Sequence, residues 1–211
     1  MLTLGISTSS GQFALVFGEN NKLLFNSDEL QFSANKDITE LMLKGLEVTA
    51  KSVRDISNII VDIGPGGTSR VRTGIAFANS LAYSLGISVC PVSSMELAGL
   101  DAWAEFSLPV IATVKSIGGN AYIGFFNNGK LVGIEYGNLK NIVTKFTEGT
   151  DEIVVVGYHR DQIREMFPEL KITDSGKLFG NARILAEKSD LFLDRAVSFP
   201  QYATPITEKT L

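Results

Sequence analysis

Three apolar stretches alternating with turns open the chain. In Leu2–Ser7, Leu2, Leu4 and Ile6 point to one side, as in a half-buried strand. Gly11 then precedes a second strand-like run, Gln12–Gly18. Glu19-Asn20-Asn21 makes a hairpin-type turn into a third, Lys22–Phe25. The period then changes. Behind Asp37, a candidate N-cap, the residues Ile38, Leu41, Met42, Leu46 and Val53 recur near helical spacing. Asn58–Ile63 is a run of Ile and Val that reads as a strand buried on both faces. Gly64-Pro65-Gly66-Gly67 turns into a second helix, which ends at Leu85 before Gly86. Ile87–Val92 returns as a strand, and Ser93 and Glu96 have capping-box spacing at the start of a third helix.

The second half repeats this order. Pro109–Lys115 reads as a strand, and Tyr122–Phe126 and Lys130–Tyr136 as a hairpin across Asn127-Asn128-Gly129. A helix follows over Asn138–Phe146, and a Val-rich strand over Glu152–Tyr158. Helices are expected over Asp161–Phe167 and Leu178–Lys188, with a short strand between them. Strands in a meander followed by alternating helix and strand predict an α/β fold with a mixed sheet. Two such lobes in tandem predict RNase H-like units of the actin and sugar-kinase type. The expected domains are residues 1–106 and 107–211, with the C-terminal segment able to pack back on the first lobe.

Composition narrows the function. The 211 residues are 45% hydrophobic and 20% charged, with a net charge of -4. A mildly acidic chain is a poor stand-alone binder of nucleic acid, so any role in RNA chemistry is expected to run through a partner. The single cysteine, Cys90, lies in an apolar run and cannot form an internal disulfide. No signal peptide is read at Met1-Leu2-Thr3-Leu4, and no apolar stretch is long enough to span a bilayer. A cytoplasmic location is expected.

The segment Ile63–Ala76, continuing to Leu81-Ala82, holds the most specific pattern. A Gly-Pro-Gly-Gly turn lets the backbone reverse and approach its neighbours closely. Gly64, Gly66 and Gly67, with Arg70 and Arg72 at the following helix start, are the candidate cofactor-binding residues, because free N–H groups there could receive an anion. A tight strand-to-helix connection explains the glycines equally, and is the favoured reading, since no Gly-x-x-x-x-Gly-Lys-Ser/Thr pattern is present. Gly74, Ala76, Ala78 and Ala82 suit a closely packed helix; packing inside the lobe and a subunit interface both fit.

This segment resembles the TsaB (YeaZ) family signature of Gly-Pro-Gly, a small polar stretch, Arg-x-Gly and an alanine-rich helix. Leu4–Ser9 and Pro91–Glu96 resemble the same family, as does Pro200-Gln201-Tyr202 near the end; the likeness is dense over residues 1–100 and thin beyond. It implies a non-catalytic paralogue of TsaD, which transfers a threonylcarbamoyl group to an adenosine of tRNA. The implied partners are a TsaD-like catalytic subunit, a TsaE-like ATPase and a second copy of the chain, with tRNA reached only through the complex. Ile38, Leu41, Met42, Ile75, Asn79 and Ala82 are the candidate interface residues. The resemblance implies no cofactor of the chain's own and leaves open a nucleotide at a shared interface.

Two catalytic features of the superfamily are missing from the sequence. TsaD-like proteins carry two histidines on the first long helix, where this chain has Ser33–Glu40 and no histidine. The one histidine, His159, is expected in a loop beside Arg160 and cannot build a metal site alone. ATPases of this fold use an early Asp near magnesium, and here Ser7 stands in its place. The peptidase label attached to the superfamily would need a metal or a nucleophile–base pair; Ser93 and Ser94 have no such base, and Cys90 is expected to be buried and inert. Trp103 is expected in the core or an interface. No catalytic or metal residue is therefore assigned. The rival reading is a nucleotide-dependent enzyme that uses the interlobe cleft.

Overall fold

The computed structural model describes residues 1–29, 37–116, 119–194 and 202–211. The first sheet contains β1 (Leu2–Ser7), β2 (Ala14–Glu19), β3 (Lys22–Asn26), β4 (Ile56–Asp62) and β5 (Val89–Val92). Its strand order is β3-β2-β1-β4-β5, antiparallel across β1–β2–β3 and parallel across β1–β4–β5. The second sheet contains β6 (Val110–Lys115), β7 (Asn120–Asn127), β8 (Lys130–Asn138), β9 (Glu152–Gly157) and β10 (Lys171–Asp174). Read from its β8 edge, the order is β8-β7-β6-β9-β10, the same topology again. The expected duplication of an α/β, RNase H-like unit is therefore present.

Local chemistry explains the elements. Asn20 and Asn21 adopt left-handed backbone between β2 and β3, and Asn128 and Gly129 do so between β7 and β8. Such turns match the twist of paired strands. Helix α1 (Ile38–Thr49) starts in a capping box, with the Asp37 side chain accepting from the Glu40 N–H and the Glu40 carboxylate accepting from the Asp37 N–H. Helix α2 (Thr68–Leu85) stops at Gly86 in left-handed conformation. Helix α4 (Leu139–Thr147) starts under the Asn138 side chain.

Each sheet is covered on both faces. In the first unit, Leu2, Leu4, Ile6, Leu15, Phe17, Ile59 and Val61 form one core with α1 and α2. On the opposite face, added Cβ atoms at Gly5 and Gly18 would strike Leu185 and Ala186 of α6 (Ile184–Glu187). Helix α7 (Ser189–Leu193) lies against β4 and β5. In the second unit, Ile111, Ile123, Val155, Leu139 and Ile163 join β6, β7 and β9 to α4 and α5 (Arg160–Met166). Helix α3 (Ser94–Phe106) covers the other face, where Gly99 leaves room for Phe126.

The boundary differs from the expected break at 106/107. One compact unit comprises Met1–Ser93 and Ala182–Pro205; the other comprises Ser94–Asn181 and Ile206–Leu211. Helix α3 thus belongs to the second unit, because its apolar side packs on β6 and β7, and residues 182–205 return to the first. A second correction concerns the helix expected over Leu178–Lys188: only Ile184–Glu187 is α-helical, and α7 follows it. Among the described residues, no helix is long and apolar enough to cross a membrane.

Cys90 lies buried in β5, and its thiol donates to the Phe192 carbonyl at 3.2 Å. A thiol reagent added to the folded protein should therefore leave Cys90 unmodified until denaturant is added. Full labelling in native buffer would contradict that placement.

Candidate functional site

The glycine turn and the end of β1 meet around one carboxylate that the sequence reading did not single out. Asp62, the last residue of β4, is fully buried. Ser7 donates its hydroxyl to Asp62 Oδ2 at 2.8 Å, Ser9 donates to the same oxygen at 2.5 Å, and the Gly64 N–H donates to Oδ1 at 2.9 Å. Burial pushes the Asp62 carboxyl above its ordinary range, and the bonds from Ser9, Gly64 and Ser7 oppose that shift. The signal available in the sequence was a lone acid closing an Ile/Val strand before Gly-Pro-Gly.

The glycines serve this junction. A Cβ on Gly66 would lie 2.5 Å from the Ser9 carbonyl oxygen, and one on Gly74 would lie 2.7 Å from Thr8 Oγ1. The Gly67 N–H donates to the Ser9 carbonyl at 3.1 Å, and Gly64 has a φ of +86°. Segment Ser7–Ser9 is thereby held against β4 and the turn by side-chain and main-chain bonds, and against α2 by the close approach of Thr8 to Gly74. Arg70 stacks its guanidinium 4.5 Å from the Phe13 ring centre, while Arg72 points to an exposed groove. The five candidate cofactor residues accordingly do different jobs. Gly64 and Gly66 permit close backbone packing, Gly67 starts the helix, Arg70 is exposed over the Phe13 ring, and Arg72 lines the groove.

That groove, of about 800 Å³, is lined by Ile38, Ser69, Arg72, Thr73, Ala76 and Phe77 among others. The candidate interface residues need correction here. Ile38, Leu41, Met42, Ile75 and Ala82 are buried in the core of the first unit, with Leu41 0% and Ala82 2% exposed. Their helical stripe is the side that packs on the sheet. The outward side of α1 carries Leu43, Lys44, Glu47 and Val48. That of α2 carries Ser69, Arg72, Thr73, Ala76, Ser80 and Tyr83. Asn79 is half-buried and bonds to a later segment of the same chain.

The remaining candidates are dispersed. His159 stands just before α5, its N–H donating to Thr113 Oγ1 at 3.1 Å. Burial, and then the charge of Lys115, lower its pKa. Ser93 and Ser94 are buried, and Trp103 packs near Phe126 at 6.5 Å between ring centres. Residues 33–36 of the stretch corresponding to the TsaD histidine helix lie outside the described residues, as do Pro200 and Gln201. Among the described residues, no three His, Cys, Asp or Glu side chains gather as a metal site requires.

A family model described as TsaD, tRNA N6-adenosine threonylcarbamoyltransferase, matches residues 33–203. The chain belongs to this TsaD family. Within the family it resembles TsaB. One similar protein is the tRNA threonylcarbamoyladenosine biosynthesis protein TsaB of Bacillus subtilis, 46% identical over 43 residues. That match spans 20% of this chain and only 19% of the relative's length. YeaZ from Pseudomonas aeruginosa has the same fold, with a TM-score of 0.78 at 18% identity, covering 98% of this chain and 99% of that one. A second Pseudomonas aeruginosa structure, described as uncharacterized with similarity to peptidase YeaZ, gives 0.79 at 17% identity over 98% of each chain. In this member of the TsaD family, Ser7 binds a neighbouring carboxylate instead of supplying one.

Proposed function

We propose that this chain is a non-catalytic partner subunit in the biosynthesis of threonylcarbamoyladenosine in tRNA, supporting a TsaD-like transferase. Family membership supports the pathway. The observation that carries the non-catalytic role is the state of Asp62. It is the acid at the carboxyl ends of β1 and β4, where ligands of open α/β sheets bind. Its oxygens already accept from Ser7, Ser9 and Gly64, and no solvent reaches it. A carboxylate so enclosed cannot hold a hydrated magnesium ion or take a substrate proton.

The outward side of α2 suits a partner with an acidic surface. The helix holds Arg70 and Arg72 and no acid, in a chain of net charge -4. Arg72 makes no ion pair among the described residues, and small side chains flank it. Ala76 permits close approach of another helix, and Phe77 contributes apolar area in the adjoining groove. A TsaE-like ATPase and a second copy of this chain are further partners under this reading.

The test is capture of the TsaD-like protein from the same source by the purified chain. Arg72→Glu should leave thermal unfolding unchanged and weaken capture by about tenfold or more, since a close charge pair is worth roughly 1.5 kcal/mol or more at an interface. Capture equal to that of the unaltered chain would remove Arg72 from the contact. Failure of the unaltered chain to bind would remove the proposed role.

A further inference from the structure

On α2 the residues Arg72, Ala76, Asn79 and Tyr83 succeed one another at spacings of four, three and four, so they share one stripe of the helix. Three of them are exposed, Tyr83 to 76%. Asn79, within the same stripe, is not free. Its Nδ2 donates to the Ala203 carbonyl at 3.0 Å, and its Oδ1 accepts from the Ala203 N–H at 3.0 Å. One side-chain amide thus satisfies both main-chain groups of one residue, the pairing that a neighbouring strand would otherwise provide. Exposure along this stretch alternates: Tyr202 is 52% exposed, Ala203 is buried at 4%, and Thr204 is exposed. Ala203 joins the core that α1 and α2 share with the sheet. The first unit's exposed α2 stripe therefore has the returning segment fastened across its middle.

We propose that segment 202–205, pinned by Asn79, is part of the docking surface, and that Tyr202 is a partner-contact residue displayed there beside Arg72, Ala76 and Tyr83. This rests on the proposed role as a subunit for a TsaD-like transferase. A partner that covers the α2 stripe meets the segment bonded at Asn79. Tyr202 offers it a flat apolar ring with a hydroxyl donor, a side chain suited to interface hot spots. The amide clamp fixes the main chain before the partner arrives, so less ordering entropy is lost on binding. Asn79 acts here as a positioning residue, and the small Ala203 side chain is what lets the segment lie close to the helix.

The experiment measures the dissociation constant for the TsaD-like protein with the unaltered chain and with Arg72→Glu, Asn79→Ala and Tyr202→Ala. Amide hydrogen exchange at Ala203 is followed in each free protein. Tyr202→Ala should weaken binding by about tenfold, or 1.4 kcal/mol, with unchanged thermal unfolding and unchanged protection at Ala203. Asn79→Ala should lose protection at Ala203 and weaken binding to a similar extent. If Arg72→Glu weakens binding while Tyr202→Ala and Asn79→Ala bind as the unaltered chain does, the segment is a purely internal strap; this inference is then overturned and the subunit role stands. If the unaltered chain does not bind, both fall together.

Discussion

Leu41→Glu is expected to unfold the first unit, while Leu43→Glu, two residues away on the same helix, leaves it folded. Leu41 is 0% exposed in the core beneath α1, whereas Leu43 is 62% exposed. A glutamate at position 41 loses the packing of a buried leucine, which costs roughly 2–5 kcal/mol. It must also place a carboxylate among apolar neighbours with no cation to meet it, or take up a proton at further cost. The sum rivals the whole stability of a typical domain, about 5–15 kcal/mol. At position 43 the same change faces water and should shift stability by only about 0.5 kcal/mol. Ala82→Arg falls in the first class, since Ala82 is 2% exposed against the sheet. Circular dichroism during thermal unfolding separates the two classes. Leu41→Glu melting within a few degrees of Leu43→Glu would show that α1 does not bury this stripe.

The second large effect belongs to Asp62. Asp62→Ala should lower stability by about 2–4 kcal/mol, because the Ser7 and Ser9 hydroxyls and the Gly64 N–H lose their acceptor inside the protein, each orphaned donor costing about 1–3 kcal/mol before water or rotation relieves it. Asp62→Asn keeps the shape and one acceptor oxygen, and either serine hydroxyl can turn to accept from the new amide. Its cost should be under about 1 kcal/mol. The comparison also has a pH dependence with a definite sign. Burial raises the Asp62 carboxyl above its ordinary 3.8, so the folded state holds this proton more tightly than the unfolded chain. The resulting contribution is complete below the ordinary value and is lost as pH rises through the folded one. The parent protein should therefore lose stability relative to Asp62→Asn as pH rises from about 4 toward neutrality. Denaturant titrations of both proteins across that range measure it. A difference that grows in the parent's favour with rising pH would contradict a carboxyl held above its ordinary range.

Much of the fold was legible because it rests on local chemistry. The period-2 run in Leu2–Ser7, the N-cap at Asp37, and Gly86 after α2 each act within a few residues, and β1, the start of α1 and the end of α2 stand where those signals placed them, whereas Val53 lies beyond α1, which ends at Thr49. The domain boundary was less legible. Helix α3 follows β5 directly in the chain, yet its apolar residues fit β6 and β7, and no local pattern says which sheet a helix will cover. Five of the six interface candidates lie in the core of the first unit, for a related reason. An apolar stripe shows that a helix buries one side, and the stripe of Ile38, Leu41 and Met42 looks the same whether it meets its own sheet or another chain. Asp62 was missed because its partners Ser7 and Ser9 are 55 and 53 residues away, brought beside it by the parallel pairing of β1 with β4. The departure at Ser7 was visible, but its consequence needed that pairing.

The measurement that bears most directly on the subunit role is threonylcarbamoyl transfer to tRNA, followed with the TsaD-like protein alone, with this chain alone, and with both, the other required components being held constant. The account predicts no product from this chain without the TsaD-like protein. Product formation should rise on adding it to that protein and fall back when Arg72→Glu replaces it. Transfer by this chain in the absence of the TsaD-like protein, or transfer by the TsaD-like protein that is the same with and without this chain, would contradict it.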